Sequence, residues 1–328
     1  MKYFYLIALV VFVAFSLLAI PFFIPQAPGF IENLSWENGF VPTEPEVSLV
    51  FVGDMMLDRG VNFSVQKNFG GDFNQLFTEL DFIREADIAF GNLEGPVSDK
   101  GRNIGSIYSF RMKPESLQAV AAAGFDVLSV ANNHAGDWTS EAFVDTVARI
   151  KNLNILPIGG GNNYQEASLV KIKEVRGVKV GFIGFSDVGP NWLAVGSSSP
   201  GILLASDPQF DQIIKTAAES VDVLVTSFHF GEEYLATSTS RQQVLARRAI
   251  DNGASLVIGH HPHVIEELER YKNGVIIYSL GNFIFDQGFS KETMEGGVLF
   301  VKLDGKKIES AELKKVKLDS RFKPSPAW

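Results

Sequence analysis

Cysteine is absent from the 328 residues. Its absence removes disulfide staples, thiolate zinc cages, a cysteine nucleophile and a lipid-bearing cysteine together. Positive charge is also short: 29 Lys and Arg face 38 Asp and Glu, leaving a net charge of −9. A nucleic-acid-coating surface does not fit that balance, so no nucleic-acid partner is expected. No Gly-x-Ser-x-Gly elbow, Walker loop or dinucleotide fingerprint occurs, and Gly159-Gly160-Gly161 reads as a plain turn. Histidine is scarce, with five copies. Hydrophobic residues at 46% and charged residues at 20% place the chain among ordinary globular proteins.

Residues Tyr3 to Ile24 form a 22-residue run without a charged side chain. At ~1.5 Å per residue it is long enough to cross a bilayer core of roughly 30 Å. The competing reading is a cleaved signal peptide, but no clean small-x-small site follows. Lys2 precedes the run, while Glu32, Glu37 and Glu44 follow it with no Lys or Arg before Arg59. The positive-inside rule then puts the N-terminus in the cytoplasm and the main domain outside. The expected organisation is a membrane signal-anchor at 1–24, a Pro- and Gly-containing stalk at 25–46, a folded domain at 47–303 and a tail at 304–328. From Lys302 to Trp328 eight Lys or Arg stand against four Asp or Glu, the composition of a solvated terminal hairpin.

From Val47 onward, short β-branched runs alternate with helix-period segments, the pattern of an α/β domain. Strands are predicted at 47–53, 87–91, 125–130, 178–185, 221–228, 254–259, 275–280 and 296–303. Helices are predicted at 73–85, 114–123, 139–151, 208–219 and 239–252. Pro114 suits a first helical turn, Gly124 and Gly253 suit the left-handed position after a last turn, and Thr139 or Ser140 suits a cap.

Six of these strands end in polar outliers: Asp54; Asn92 and Glu94; Asn132, Asn133 and His134; His229, Glu232 and Glu233; His260, His261 and His263; and Asn282. Ligands of α/β sheets bind at the carboxyl ends of strands, so these groups are expected to line one crevice. Taken singly, Gly53-Asp54 also reads as a turn, the Asn pair as turn residues, and His229 as a satisfied buried imidazole. Together, all five histidines of the chain plus two carboxylates point to a metal site. Imidazole with oxygen donors and no thiolate suits Mn, Fe or Zn. Such an ion lowers the pKa of water to near ~7 and polarises a carbonyl or phosphoryl group, the equipment of hydrolysis or group transfer.

The segments GDMMLDRGV (53–61), FGNLEGPVSD (90–99), SVANNH (129–134), HFGEEY (229–234), VIGHHPHV (257–264) and YSLGNFIFD (278–286) resemble, in order, the signature blocks of the CapA family of poly-γ-glutamate capsule biosynthesis proteins. The resemblance implies a calcineurin-like metallophosphoesterase fold, an αββα sandwich. It further implies metal ligands at Asp54, Glu94, His229, His261 and His263. His134 becomes the proton donor or base, Asn133 the group orienting substrate, and Glu94 an alternative base. Asn92, Glu232, His260, Asn282 and Arg59 fall to the substrate, with Arg102 and Arg111 as further cations near it in the chain. Met56 stands where a phosphoesterase has the His of Asp-x-His, and Glu94 with Asn92 replaces a bridging Asp. Asp58, where the family more often has Gly, reads as a surface turn, with a substitute metal ligand as the alternative.

The function so implied is synthesis, export or anchoring of poly-γ-glutamate by a metal-dependent hydrolase or transferase, beside membrane synthase subunits. The alternatives are a phosphoesterase acting on an envelope phosphate ester and a non-catalytic partner of a polymer synthase.

Overall fold

The computed structural model describes residues 46–328. The anchor expected at 1–24 and the stalk up to residue 45 lie outside the described residues. Among those described, no helix is long and apolar enough to cross a membrane. The chain opens with β1 (Glu46–Met55), α1 (Arg59–Asn68), α2 (Phe82–Glu85), β2 (Ile88–Leu93) and α3 (Pro114–Ala123). Next come β3 (Val127–Ser129), α4 (Thr139–Asn152), β4 (Leu156–Ile158), β5 (Gly160–Gly161) and α5 (Tyr164–Ser168). The second half begins with β6 (Lys171–Val175), β7 (Val178–Ser186), β8 (Gly201–Ile202), α6 (Phe210–Glu219), β9 (Val223–His229) and α7 (Ser240–Asp251). It closes with β10 (Leu256–His260), β11 (Leu268–Tyr271), β12 (Gly274–Ile277), β13 (Asn282–Ile284), β14 (Glu295–Asp304), β15 (Lys307–Leu318) and β16 (Pro324–Pro326).

Two sheets carry the domain. One runs β16-β15-β14-β1-β2-β3-β4, with β13 also pairing β1; the other runs β11-β12-β10-β9-β7-β6. The period of two in the strands sorts their side chains between layers. Leu49 and Phe51 of β1 meet Val223 and Val225 of β9 and Leu256 and Ile258 of β10 in the layer between the sheets. Val50 and Val52 face the other way, toward Val65 of α1, Val120 of α3 and Phe143 of α4. Leu224, Phe228 and Val257 pack outward against Phe210 of α6 and Leu245 of α7. Both faces of the central strands are therefore apolar, which is why they read as unbroken hydrophobic runs.

The αββα sandwich expected from the blocks is the fold observed, and all eight predicted strands are present. Three expectations change. Residues 73–85 do not form one helix: a 3-10 turn at Phe73–Phe77 and the short α2 are joined by three-residue hydrogen bonds from Leu80 N to Phe77 O and Ile83 N to Leu80 O. Leu76, Phe77, Leu80 and Ile83 still reach the core, so the apolar spacing persisted while the winding tightened. Thr139 is the first residue of α4 rather than its cap, which falls to Trp138 without a side-chain bond. The supposed tail at 304–328 belongs to the sheet, because β15 pairs β14 from Glu295↔Lys317 to Asp304↔Lys307 and β16 adds a further strand.

Parallel pairing of β1, β2 and β3, and of β7, β9, β10 and β12, brings their carboxyl ends to the same side within each sheet. The register shifts in β1 between Phe51 and Asp54 against β2, and again beyond Asp54 against β13. Such a bulge re-aims a side chain. Gly53 makes it possible, since a Cβ there would sit 1.9 Å from the carbonyl oxygen of Gly281. Gly53→Ala is expected to cost about 2–4 kcal/mol, read as a lowered urea midpoint. An unchanged midpoint would contradict the close crossing.

Candidate metal centre

Asp54, at the bulge, is fully buried and central. Its Oδ1 accepts from Asn92 Nδ2 at 2.8 Å and lies 3.2 Å from His260 Nδ1. Its Oδ2 accepts from the His261 backbone N–H at 3.2 Å and lies 3.5 Å from His263 Nδ1. Burial pushes this carboxyl up, but His260, His263 and Asn92 together hold it below the ordinary value. Glu94 behaves oppositely. Burial, followed by the charges of Asp54, Glu233 and Asp137, raises it well above the usual carboxylate value.

Four of the five histidines come from the second sheet and its loops, and His134 follows β3 of the first. His229 ends β9, with Nε2 2.8 Å from Asn133 Oδ1 and Nδ1 3.4 Å from Asn92 Nδ2. Those partners assign the proton to Nε2 and leave Nδ1 as the acceptor. Burial, reinforced by the neighbouring imidazoles, lowers His229 well below its usual value. Burial likewise lowers His261 and His263 to about 4 each. All three rings are neutral near pH 7, the state in which imidazole binds a metal. His261 and His263 adopt left-handed backbone angles, φ 100° and 60°, strain of the kind that gathers at functional sites.

Two trios of possible ligands result, each with ligand atoms within 4.8 Å of one another: Asp54, Glu94 and His229, and Glu233, His261 and His263. All five residues expected to bind metal are thus brought together. A divalent ion fits this donor set on an independent observation: Glu94 Oε1 and His261 Nδ1 are buried without a hydrogen-bond partner. Unspent acceptors of that kind cost free energy unless something occupies them.

His134 stands apart from the trios. Its Nδ1 is 2.8 Å from Asp137 Oδ2, its ring lies 3.9 Å from that of Phe110, and its Nε2 is 3.9 Å from Glu94 Oε1. Asp137 Oδ2 also accepts from the Phe110 N–H at 2.9 Å, so one carboxylate positions both rings. Beside His134 is a cleft of about 220 Å³ lined by Arg59, Tyr108, Phe110, Glu233, Tyr234 and Asp286 among others. A larger groove of about 420 Å³ between α5 and α6 is lined by no carboxylate, cationic side chain or imidazole. The imidazoles and the carboxylates beside them mark the smaller cleft.

Several expected substrate contacts are corrected. Asn92, His260 and Asn282 are fully buried. Asn92 bridges Asp54 and Glu94, His260 braces Asp54, and Asn282 Oδ1 receives His263 Nδ1 at 3.0 Å while its amide donates to Thr293 O. Each contacts a candidate ligand and none lines the cleft. Glu232 is exposed outside the cleft, and its neighbour Glu233 takes the place by the histidines. Arg59 lines the cleft, held by Asp286 at 3.0 and 3.1 Å; Arg111 instead stacks on Trp138 at 3.6 Å, and Arg102 is exposed elsewhere. Asp58 accepts from the Arg111 N–H at 2.8 Å and is a structural turn. Asp137 and Asp286 were missed, and Glu233 was expected only as one of the strand-end groups, without a ligand role. The spacing Asn-Asn-His-x-x-Asp carried the signal for Asp137, since a turn returns the third residue to the imidazole.

A family model described as bacterial capsule synthesis protein PGA_cap matches residues 48–287. This chain belongs to that family. Among PGA_cap relatives, the capsule biosynthesis protein CapA of Bacillus anthracis is 33% identical over 261 residues, 75% of this chain and 61% of that protein. The PGA biosynthesis protein CapA of Bacillus subtilis is 35% identical over 248 residues, 75% of this chain and 65% of that protein. The chain thus spans somewhat less than two thirds of either relative. A phosphatase from Mycoplasma pneumoniae superposes with a TM-score of 0.53 at 16% identity, covering 85% of this chain and 97% of that one, which shows a shared fold. Within that fold Met56 is fully buried against Phe110 and Phe285, and its sulfur accepts the Asp58 N–H at 3.2 Å. Position 56, where the resemblance led one to expect an imidazole in a phosphoesterase, therefore presents a buried thioether in this chain.

Glu266 is a buried acid outside the centre. Burial raises Glu266 to about 7 despite the 2.7 Å hydrogen bond from Gln242 Nε2 to its Oε2. The folded state then holds a proton that the unfolded chain releases near its ordinary value of 4.5. This contribution is fully present below that value and is lost as pH rises toward 7. Glu266→Gln keeps the acceptor and is expected to flatten that part of the stability profile, measured by urea unfolding from pH 4.5 to 8. A variant with the wild-type slope would refute the assignment.

Proposed function

We propose that this chain is a membrane-anchored, extracytoplasmic, metal-dependent hydrolase or transferase that acts on poly-γ-glutamate during capsule synthesis, export or anchoring. The observation that carries the proposal is the His134–Asp137 pair opening on a cleft beside two trios of metal-type ligands. Family membership and the names of the Bacillus relatives support the polymer. The uncharged run from Tyr3 to Ile24 supports the anchor, and with it membrane synthase subunits as partners.

Asp54, Glu94 and His229, with His261 and His263 beside them, would hold divalent metal, whether Mn, Fe or Zn. When bound, it supplies Lewis-acid polarisation of the group under attack. Asp137 accepts a hydrogen bond from His134 Nδ1–H and fixes the tautomer, leaving Nε2 to take a proton from the nucleophile or return one to the leaving group. Asn133 holds His229 in register. Arg59 places a positive charge in the cleft for a substrate carboxylate, with Phe110 stacked between it and His134.

The test is incubation of the full chain, stripped and reloaded with Mn, Fe or Zn, with poly-γ-glutamate, and separately with an aryl phosphate. Metal-dependent change in polymer length or end groups, lost in His134→Ala, supports the reading. Turnover of the aryl phosphate alone would favour the phosphoesterase alternative. Inertness toward both would favour a non-catalytic partner of a synthase, to which the apolar Met56 position lends the specific support.

A further inference from the structure

We propose that Glu233 completes a second, separately loaded divalent-cation position with His261 and His263 at the floor of the cleft, replacing the ligand that position 56 does not supply. This rests on the metal reading above and adds to it a ligand outside the Asp-x-His pattern. In that pattern the first block contributes an imidazole, but here the side chain at position 56 is a buried thioether packed among Phe110 and Phe285. The donor set must be completed from elsewhere or stay at one ion. Glu233 is positioned for it: one of its oxygens and one nitrogen from each of His261 and His263 lie within 4.8 Å of one another.

Three features of the backbone show that this approach is built. Tyr234 N donates to Pro262 O at 2.8 Å, fastening the loop after β9 to the turn that carries both histidines. Gly231 and Tyr234 flank the glutamates with φ of 101° and 68°, the reversal that turns Glu233 back toward the histidines. A Cβ on Gly231 would lie 2.6 Å from the Gln242 side chain, so the loop closes tightly over α7. The second independent observation is His261 itself: the residue is only 7% exposed, and its Nδ1 has no hydrogen-bond partner. With the proton on Nε2, that Nδ1 is an unspent lone pair free for a cation.

The two positions differ in kind. Asp54, Glu94 and His229 are all buried, whereas Glu233 is exposed and lines the cleft together with His263 and His134. A cation at the outer position would be reached by solvent and substrate directly and would exchange more readily than one in the inner position. Two nitrogens and one carboxylate oxygen, with the remaining positions open, suit Mn, Fe or Zn. The same outer cation would lie on the side of the cleft where an anionic chain enters, giving a substrate carboxylate or other oxygen a direct partner.

The experiment is calorimetric titration of the chelator-stripped full chain with Mn²⁺ alone, repeated for Glu233→Gln and His229→Ala, with electron paramagnetic resonance of the loaded samples. The wild type is expected to show two binding events. In E233Q the weaker event should fall at least tenfold in affinity while the tighter is unchanged, and any magnetic coupling between two ions should vanish. H229A should lose the tighter event instead, and circular dichroism should show both variants folded. E233Q with both events within twofold of wild type would overturn the proposal, as would a wild type that binds a single ion. A wild type that binds none would overturn the metal reading itself.

Discussion

His134→Ala is expected to lower turnover by about 10²–10⁴, roughly 3–5 kcal/mol of transition-state stabilisation, with little change in metal content. The reasoning is geometric. His134 is the one imidazole of the five held by a carboxylate outside the two trios, with Nδ1 2.8 Å from Asp137 and Nε2 directed toward Glu94 at 3.9 Å. Asp137→Asn should cost nearly as much, because the amide can present its N–H to Nδ1 and so favours the wrong tautomer. Asp137 also holds the Phe110 backbone, so thermal unfolding must be read alongside. A slowed but fully folded Asp137→Asn variant identifies tautomer control. A variant slowed only in proportion to lost stability would show a purely structural carboxylate.

Joint replacement of His261 and His263 by alanine is expected to weaken the outer metal-binding event by more than about 10²-fold, since it removes direct ligands rather than their supports. The same pair makes a second, metal-free signature. Burial lowers both imidazoles to about 4, against 6.5 ordinarily. The unfolded chain therefore takes up protons that the folded one refuses, and stability is lost as pH falls from 6.5 toward 4. The double variant should lose less over that interval in urea unfolding of chelator-treated protein. Equal metal affinity in wild type and double variant would remove this turn from the centre.

Much of this arrangement was legible before any coordinates. Central strands buried on both faces announce themselves as apolar runs, and the polar residues that end them were legible as a cluster because α/β topology gathers strand ends. Helices with mechanical signals were found at nearly their observed limits, as with Pro114 and Gly124 at the ends of α3 and the left-handed Gly253 just past α7. Helix α1 was not, since RGVNFSVQKN holds few strong helix formers and begins at Arg59 with φ 47°; Val61 and Val65 in the core hold it instead. Strand β15 was missed because an exposed strand rich in Lys and Glu carries the composition of a solvated tail, and only pairing with β14 orders it.

Within the site, residue type located the centre but not the division of labour. Asn92, His260 and Asn282 have the same donors whether they meet substrate or brace a ligand, and only burial assigns them to bracing. Glu232 and Glu233 are adjacent and chemically identical. The reversal at Gly231 and Tyr234 selects the second, a choice made by φ angles that composition does not encode.

The central claim is that these strand ends hold a metal ion. Anomalous diffraction at the absorption edge of Mn, Fe or Zn, from crystals of the full chain soaked in that metal, tests it most directly. The account predicts a peak bounded by Asp54, Glu94 and His229, and at higher metal concentration another bounded by Glu233, His261 and His263. Crystals of folded protein with no peak at either position, for any of the three metals, would contradict it.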